Sequence, residues 1–352
     1  MTLEAAKIYV STLVGVLKGL AAVERRSGAS NMDMDSFTPI TGPLSEKDTS
    51  RAVVDTSVER VTGLEFHQTE EFLAVEEPLE IQLAYGPADA RAMKSISVTM
   101  RTPGHDFELA AGFLMTEGVV RDVNDIDGIV YAAEKTALIP DETQDRSSAL
   151  PYQPRKNVVR VELAPDVKVS LANLERNFYT TSSCGICGKA SLLALQTVCP
   201  ARVKNTFSID AQLLYTLPPR LREAQSVFDR TGGLHGAGLF DAKGQLLGLR
   251  EDVGRHNAVD KLLGSEFLAD RTPLRNSLLL LSGRASFELL QKALMGGVSM
   301  VAAVGAPSSL AVQVAREFDI ILVGFLRNDH FNIYHGDDHI QRRRSDREDL
   351  PA

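Results

Sequence analysis

Cys184 and Cys187 stand three apart in Ser182-Ser183-Cys184-Gly185-Ile186-Cys187-Gly188-Lys189 and are the residues best suited to sulfur chemistry. Such chemistry needs a thiolate. The run Ala190-Ser191-Leu192-Leu193-Ala194-Leu195 predicts a helix just after the pair, and a helix N-terminus lowers a thiol pKa through its N–H groups and partial positive charge. Lys189 acts in the same direction, and Gly185 and Gly188 allow a tight turn that leaves the sulfurs uncovered. The pair also equals half of a tetrahedral zinc site, with Cys199 and a histidine as the remaining ligands. No second Cys-x-x-Cys follows, however, and no His-x-Glu precedes it as zinc deaminases require. A thioredoxin-type dithiol would place the motif directly after a strand in a small βαβ domain. Cys199, before Pro200 in an apolar setting, reads as an inert structural thiol.

A second set of candidates lies further along the chain. Three loops follow apolar strands: Ser282-Gly283-Arg284-Ala285-Ser286, Gly305-Ala306-Pro307-Ser308-Ser309, and Gly324-Phe325-Leu326-Arg327-Asn328-Asp329-His330. Two of them carry small residues and hydroxyls just before a helix, which suits an anion held by backbone N–H groups. Arg284 and Arg327 add guanidinium forks that match phosphate. Taken singly, Ser286 and Ser309 serve equally well as helix N-caps. The segment Arg250 to Lys261 is unusually polar for a strand–helix junction, with Asp252 and Gly254 suited to a cap and turn. His256 and Asp260 stand four apart there, where a carboxylate can orient an imidazole; a surface salt-bridge cluster fits the same spacing. His235, between Leu234 and Gly236, is either a further candidate or a satisfied edge histidine.

The elements that must position these residues are legible from hydrophobic periodicity. Leu278–Leu281 is a continuous apolar strand, and Val298–Val304 and Ile320–Phe325 read as a second and a third apolar strand, separated by helices over Phe287–Met295 and Leu310–Phe318. That alternation predicts a parallel sheet buried on both faces, with ligands taken at the carboxyl ends of its strands. Upstream, 236–240 and 245–249 predict a hairpin around Asp241-Ala242-Lys243-Gly244, followed by a helix from about Arg255 to Leu263. Residues 74–75, 79–83, 96–100 and 158–161 predict strands around a helix capped by Asp106 and striped by Leu109, Ala110, Phe113 and Leu114. The fold class is therefore α/β. Residues 1–56 form a peripheral or disordered extension and 57–165 a small α+β domain with an exposed insertion near 133–156. Residues 166–336 form an α/β domain carrying the cysteine loop, and 337–352 a polar, solvated tail.

Composition narrows the function classes. The 352 residues are 44% hydrophobic, enough for substantial cores, and three cysteines argue against a disulfide scaffold and for a reducing, cytoplasmic setting. A net charge of −8 disfavours non-specific nucleic-acid binding, and no apolar stretch reaches the ~18 residues of a membrane span.

With these blocks in order, the chain resembles the formate dehydrogenase accessory sulfurtransferase family, FdhD, from about Val58 to Gly336. The resemblance rests on Asp106–Phe113 with Thr116-Glu117-Gly118, Ser183–Gly188, Thr231–His235, Glu251–Lys261, Ser282–Ser286, Ala306–Ala311 and Gly324–Arg327. It implies a cytidine-deaminase-like α/β fold without the zinc signature, preceded by a smaller domain, and a homodimer. It also implies a sulfurtransferase that takes sulfur as a persulfide from a cysteine desulfurase. The sulfur passes to the molybdenum or tungsten bis(molybdopterin guanine dinucleotide) cofactor destined for apo formate dehydrogenase. By the same resemblance Cys184 is the persulfide carrier, Cys187 a supporting thiol, and Phe325, Leu326, Arg327, Asn328, Asp329 and His330 contact the cofactor. Ser282, Arg284, Ser286, Ser308, Ser309, Arg255, His256 and His235 are further cofactor-binding candidates. Two other readings are a non-catalytic carrier of the cofactor and a zinc hydrolase of deaminase type.

Overall fold

The computed structural model describes residues 51–132, 156–169, 195, 199 and 204–342. A hairpin comes first. Strands β1 (Val53–Thr62) and β2 (Glu65–Ala74) pair antiparallel from Val53 opposite Ala74 to Thr62 opposite Glu65. Gly63 turns between them with φ 64°, a conformation open to glycine. β1 thus starts inside the segment expected to be peripheral.

The next sheet has the order β4-β3-β6-β5, from β3 (Glu77–Tyr85), β4 (Ala92–Arg101), β5 (Ile126–Tyr131) and β6 (Val158–Leu163). β3 runs antiparallel to β4 and parallel to β6. Leu79, Ile81 and Leu83 point to one face, as a period of two requires, and pack with Val159 and Val161 under helix α1 (Asp106–Thr116). Asp106 is not the cap of α1. His105 takes that position in the left-handed region (φ 57°), and the buried Asp106 carboxylate binds Arg101 Nε and Nη2 at 2.9 and 3.0 Å. Tyr131 donates its hydroxyl to the same carboxylate at 3.1 Å.

Beyond β7 (Ile209–Asp210), α2 (Ala211–Ala224) and α3 (Ser226–Thr231) lies a six-stranded sheet of order β13-β12-β11-β10-β8-β9. β8 (His235–Phe240) and β9 (Leu246–Asp252) are the expected hairpin. β10 (Leu278–Leu281), β11 (Met300–Ala303) and β12 (Ile321–Gly324) are parallel, and β13 (Asn332–His335) closes the far edge antiparallel. Every residue of β10, β11 and β12 is buried, with odd and even positions facing different cores. Leu279, Leu281, Val301 and Leu322 enter the core shared with α1, α4 (Arg255–Leu268), α5 (Phe287–Met295) and α6 (Ser309–Glu317). Leu278, Leu280, Met300 and Val323 enter one shared with α2. Each buried leucine contributes about 1.5–3 kcal/mol, so uninterrupted apolar strands are what a sheet covered on both faces demands.

β14 (Ile340–Gln341) adds parallel to β7, burying Ile340 within the stretch expected to be a solvated tail. His339 Nδ1 lies 2.8 Å from Phe207 O beside it.

Helix α4, which carries the Arg255–His256 step, is fixed by a close crossing with α1. A Cβ on Gly112 would lie 1.9 Å from Asp260 O, and one on Gly264 would lie 1.9 Å from Glu108 O. Only glycine at both positions lets the two backbones meet.

Candidate functional site

The three strand-end loops are bound into one ridge by their own backbones. Gly305 N donates to Gly283 O at 2.8 Å, and Phe325 N donates to Gly305 O at 3.1 Å. Ala285 N donates to Ala306 O at 3.2 Å, and Ser308 N to Ala285 O at 2.9 Å. A side chain at Gly305 would collide with Arg284 N at 2.9 Å, so glycine is what allows this stacking. The loops after β10, β11 and β12 therefore lie side by side at the carboxyl edge of the sheet, as parallel topology predicts.

Ser282 ties this ridge to β8. Its Oγ accepts from Gly236 N at 2.9 Å and its N donates to Gly236 O at 3.0 Å, which sets His235 next to Gly283. His235 Nδ1 is 3.5 Å from where a Cβ on Gly283 would stand. Ser308, not Ser309, caps α6, with its Oγ accepting from Ala311 N at 3.2 Å; Ser309 is the first helical residue. Ser286 occupies the N-cap position of α5 without a side-chain capping bond.

At the other end of the ridge, Phe325 adopts φ 53° and is 39% exposed as a residue. A bulky residue in that region is strained, and two bonds hold it there, Phe325 N to Gly305 O and Leu326 N to Ala303 O. Leu326 is fully buried in the core. Arg327 donates Nη1 to Val304 O and to Leu326 O, which folds its guanidinium back along the ridge. Asn328, Asp329 and His330 are exposed, with His330 Nδ1 2.7 Å from Asp329 Oδ1. Arg284 is exposed as well.

Arg255 and His256 open α4 on the β8 side of the ridge. Asp252 precedes them and fixes the turn by accepting from Gly254 N at 2.8 Å and Asn257 Nδ2 at 3.0 Å, while Lys261 Nζ lies 2.7 Å away. The expected pairing of His256 with Asp260 does not form. Asp260 points inward instead, to Thr116 Oγ1 at 2.9 Å and Lys292 Nζ at 2.9 Å, because a buried carboxylate is matched better by the charge of a lysine than by a neutral imidazole. Burial lowers the pKa of Lys292, but Asp260 and Glu117 outweigh it and hold it above the usual lysine range. His256 Nε2 instead faces Glu288 Oε2 at 4.0 Å, too far for a hydrogen bond. Burial, then the charges of Arg255 and Lys292, bring His256 down to about 4; burial and Arg255 lower His235 too. Both imidazoles are therefore neutral at neutral pH.

Glu288 and Lys292 were not singled out from sequence. Their spacing of four on α5 opposite α4 was the available signal. Cys184, Cys187 and the insertion over 133–155 lie outside the described residues. Cys199 is half-buried against the larger core. Among the described residues no three His, Cys, Asp or Glu side chains group as metal ligands would, and no helix is long and apolar enough to cross a membrane.

Comparison with known proteins places the chain. A profile of the FdhD/NarQ family matches residues 74–341. The chain belongs to this family. It is 50% identical over 273 residues to the sulfur carrier protein FdhD of Streptomyces avermitilis, covering 77% of this chain and 89% of that one. It is 50% identical over 265 residues to the sulfur carrier protein FdhD of Mycobacterium tuberculosis, covering 75% and 90%. The same fold occurs in a crystal structure of a candidate formate dehydrogenase accessory protein from Desulfotalea psychrophila. That structure has a TM-score of 0.60 and 21% identity, covering 82% of this chain and all of that one. The mixed α/β class expected from the sequence is thus the fold of this family member.

Proposed function

We propose that this FdhD/NarQ family member is a sulfur carrier serving a formate dehydrogenase, and that it transfers sulfur by way of a cysteine persulfide. Half of the aligned positions are shared with proteins named as sulfur carriers, across nine-tenths of their length, and this observation carries the reading. Cys184 is the carrier and Cys187 its supporting thiol. The Cys184 thiolate attacks the outer sulfur of a desulfurase persulfide, a new S–S bond forms at Cys184, and the desulfurase thiolate leaves. The acceptor substrate is the molybdenum or tungsten bis(molybdopterin guanine dinucleotide) cofactor. The ridge at the ends of β10, β11 and β12 suits its guanine nucleotide arm, with Phe325 offering a ring face and Arg284 and Arg327 offering guanidinium groups. The protein acts as a homodimer in the cytoplasm, with a cysteine desulfurase and the apo formate dehydrogenase as its partners.

Incubation with a cysteine desulfurase and cysteine should add the mass of one sulfur atom to the Cys184 peptide. Cys184→Ala should abolish activation of the formate dehydrogenase. A Cys184→Ala protein that still supported full formate dehydrogenase activity would overturn the persulfide route. In that event loss of activity on deleting the nucleotide contacts alone would identify a pure cofactor carrier.

A further inference from the structure

The β8 side of the ridge gathers three nitrogen-bearing side chains, and the carboxylate that faces them, Glu288, stops 4.0 Å from His256. Arg255 Nε and His256 Nε2 are both shielded from solvent and make no hydrogen bond. His235 stands beside Gly283, and the charge of Arg255 acts on both imidazoles. The nearby carboxylates are committed elsewhere. Asp252, opposite His235 in the β8–β9 register, is held by Lys261, Thr102 N, Gly254 N and Asn257. Asp260 is held by Lys292 and Thr116. From α5 the cluster is faced by Lys292, already neutralised, and by Glu288, whose side chain is more than half exposed. Shielded polar nitrogens with no partner are costly, and in an acidic chain a local cluster of them beside a guanidinium points to an external anion.

We infer that His235, Arg255 and His256 form a phosphate subsite at the carboxyl end of β10, and that this subsite takes up a proton as it fills. The inference rests on the guanine-nucleotide reading above for its ligand, and it assigns the phosphates rather than the base. Arg255 supplies the permanent charge. The imidazoles are neutral in the free protein, and a phosphate dianion placed among them raises their proton affinity, so binding and protonation are linked. Glu288 competes with the anion for His256.

Guanosine 5′-diphosphate, guanosine and inorganic phosphate, titrated calorimetrically into the full chain in two buffers of different ionisation enthalpy, test this. Arg255→Gln should weaken the diphosphate about ten- to hundredfold, the worth of a charge-assisted hydrogen bond, and leave guanosine unaffected. His256→Gln should reduce the protons taken up with the diphosphate near pH 6. Glu288→Gln, at an exposed position safe for folding, should tighten the diphosphate roughly two- to fivefold. Unchanged diphosphate affinity in Arg255→Gln, or unchanged proton uptake in His256→Gln, overturns the subsite while leaving the nucleotide reading intact. A wild-type protein that binds neither the diphosphate nor guanosine overturns both.

Discussion

His256 Nε2 stops 4.0 Å from Glu288 Oε2, across the gap between the first turns of two helices that are otherwise packed together. The imidazole is thus deprived of water without gaining a full ion pair, and its pKa falls to about 4. An unfolded histidine titrates near 6.5. Between these values the unfolded chain binds more protons than the folded one, so this group's contribution to stability is present above pH ~6.5 and lost as pH falls toward ~4. His235 contributes in the same sense. His256→Gln should flatten the fall in denaturation midpoint between pH 7 and pH 5. An unaltered pH profile in the variant would show that the imidazole is solvated in solution.

Lys292 joins α5 to α1 and α4 through Asp260, Glu117 and Thr116, with its ammonium group almost wholly buried. Lys292→Met leaves the Asp260 carboxylate buried without its cation, a change that costs about 3–5 kcal/mol. Chemical denaturation should register that loss. Lys292→Met with Asp260→Asn removes both charges and should recover a large part of it. If the single variant is as stable as the wild type, the buried pair does not hold the three helices together.

The parallel core was almost fully legible in the sequence. Leu278–Leu281 and Phe287–Met295 have the boundaries that periodicity predicts, because strands covered on both faces and a helix with one apolar stripe leave strong patterns. The hairpin of β1 and β2 left no such pattern. None of its positions is buried and most are exposed, so no apolar alternation marks it. The short β14 was hidden for a related reason: one buried Ile340 beside Asp337 and Asp338 reads as tail. At the site, sequence reasoning found the ridge loops because strand-end position follows from topology. It mispaired Asp260 because spacing along one helix cannot say which neighbouring helix brings a lysine. Asp106 was mistaken for a cap for the same reason, since Arg101 comes from β4.

Gly264 of α4 meets the Glu108 carbonyl so closely that a methyl group would stand 1.9 Å from its oxygen. Backbone cannot yield as a side-chain tip does, so Gly264→Ala must push α1 and α4 apart. A cost of about 1–3 kcal/mol is expected for such overpacking. The displacement should reach the start of α4 and weaken nucleotide binding along with thermal stability. Gly128→Ala, with nothing within 4 Å of the added methyl, is the matched control and should leave both unchanged. Equal melting temperatures for the two variants would contradict the close crossing.

Phe325 is held at positive φ with its ring partly in solvent, although the adjacent Leu326 is fully buried. A ring exposed at the cost of backbone strain serves little in the core, whereas a purine base stacks on such a face for about 1–3 kcal/mol. If the ring stacks on the base as proposed, Phe325→Ala should weaken guanosine and guanosine 5′-diphosphate by the same factor, about ten- to hundredfold. Arg255→Gln, acting on the phosphates, should separate the two ligands. Phe325→Ala should cost little stability, since this residue is already 39% exposed. Phe325→Gly should also release the strain at that position and raise the melting temperature relative to Phe325→Ala. Undiminished guanosine binding in Phe325→Ala would detach the ring from base recognition and leave its strained conformation as a feature of the loop.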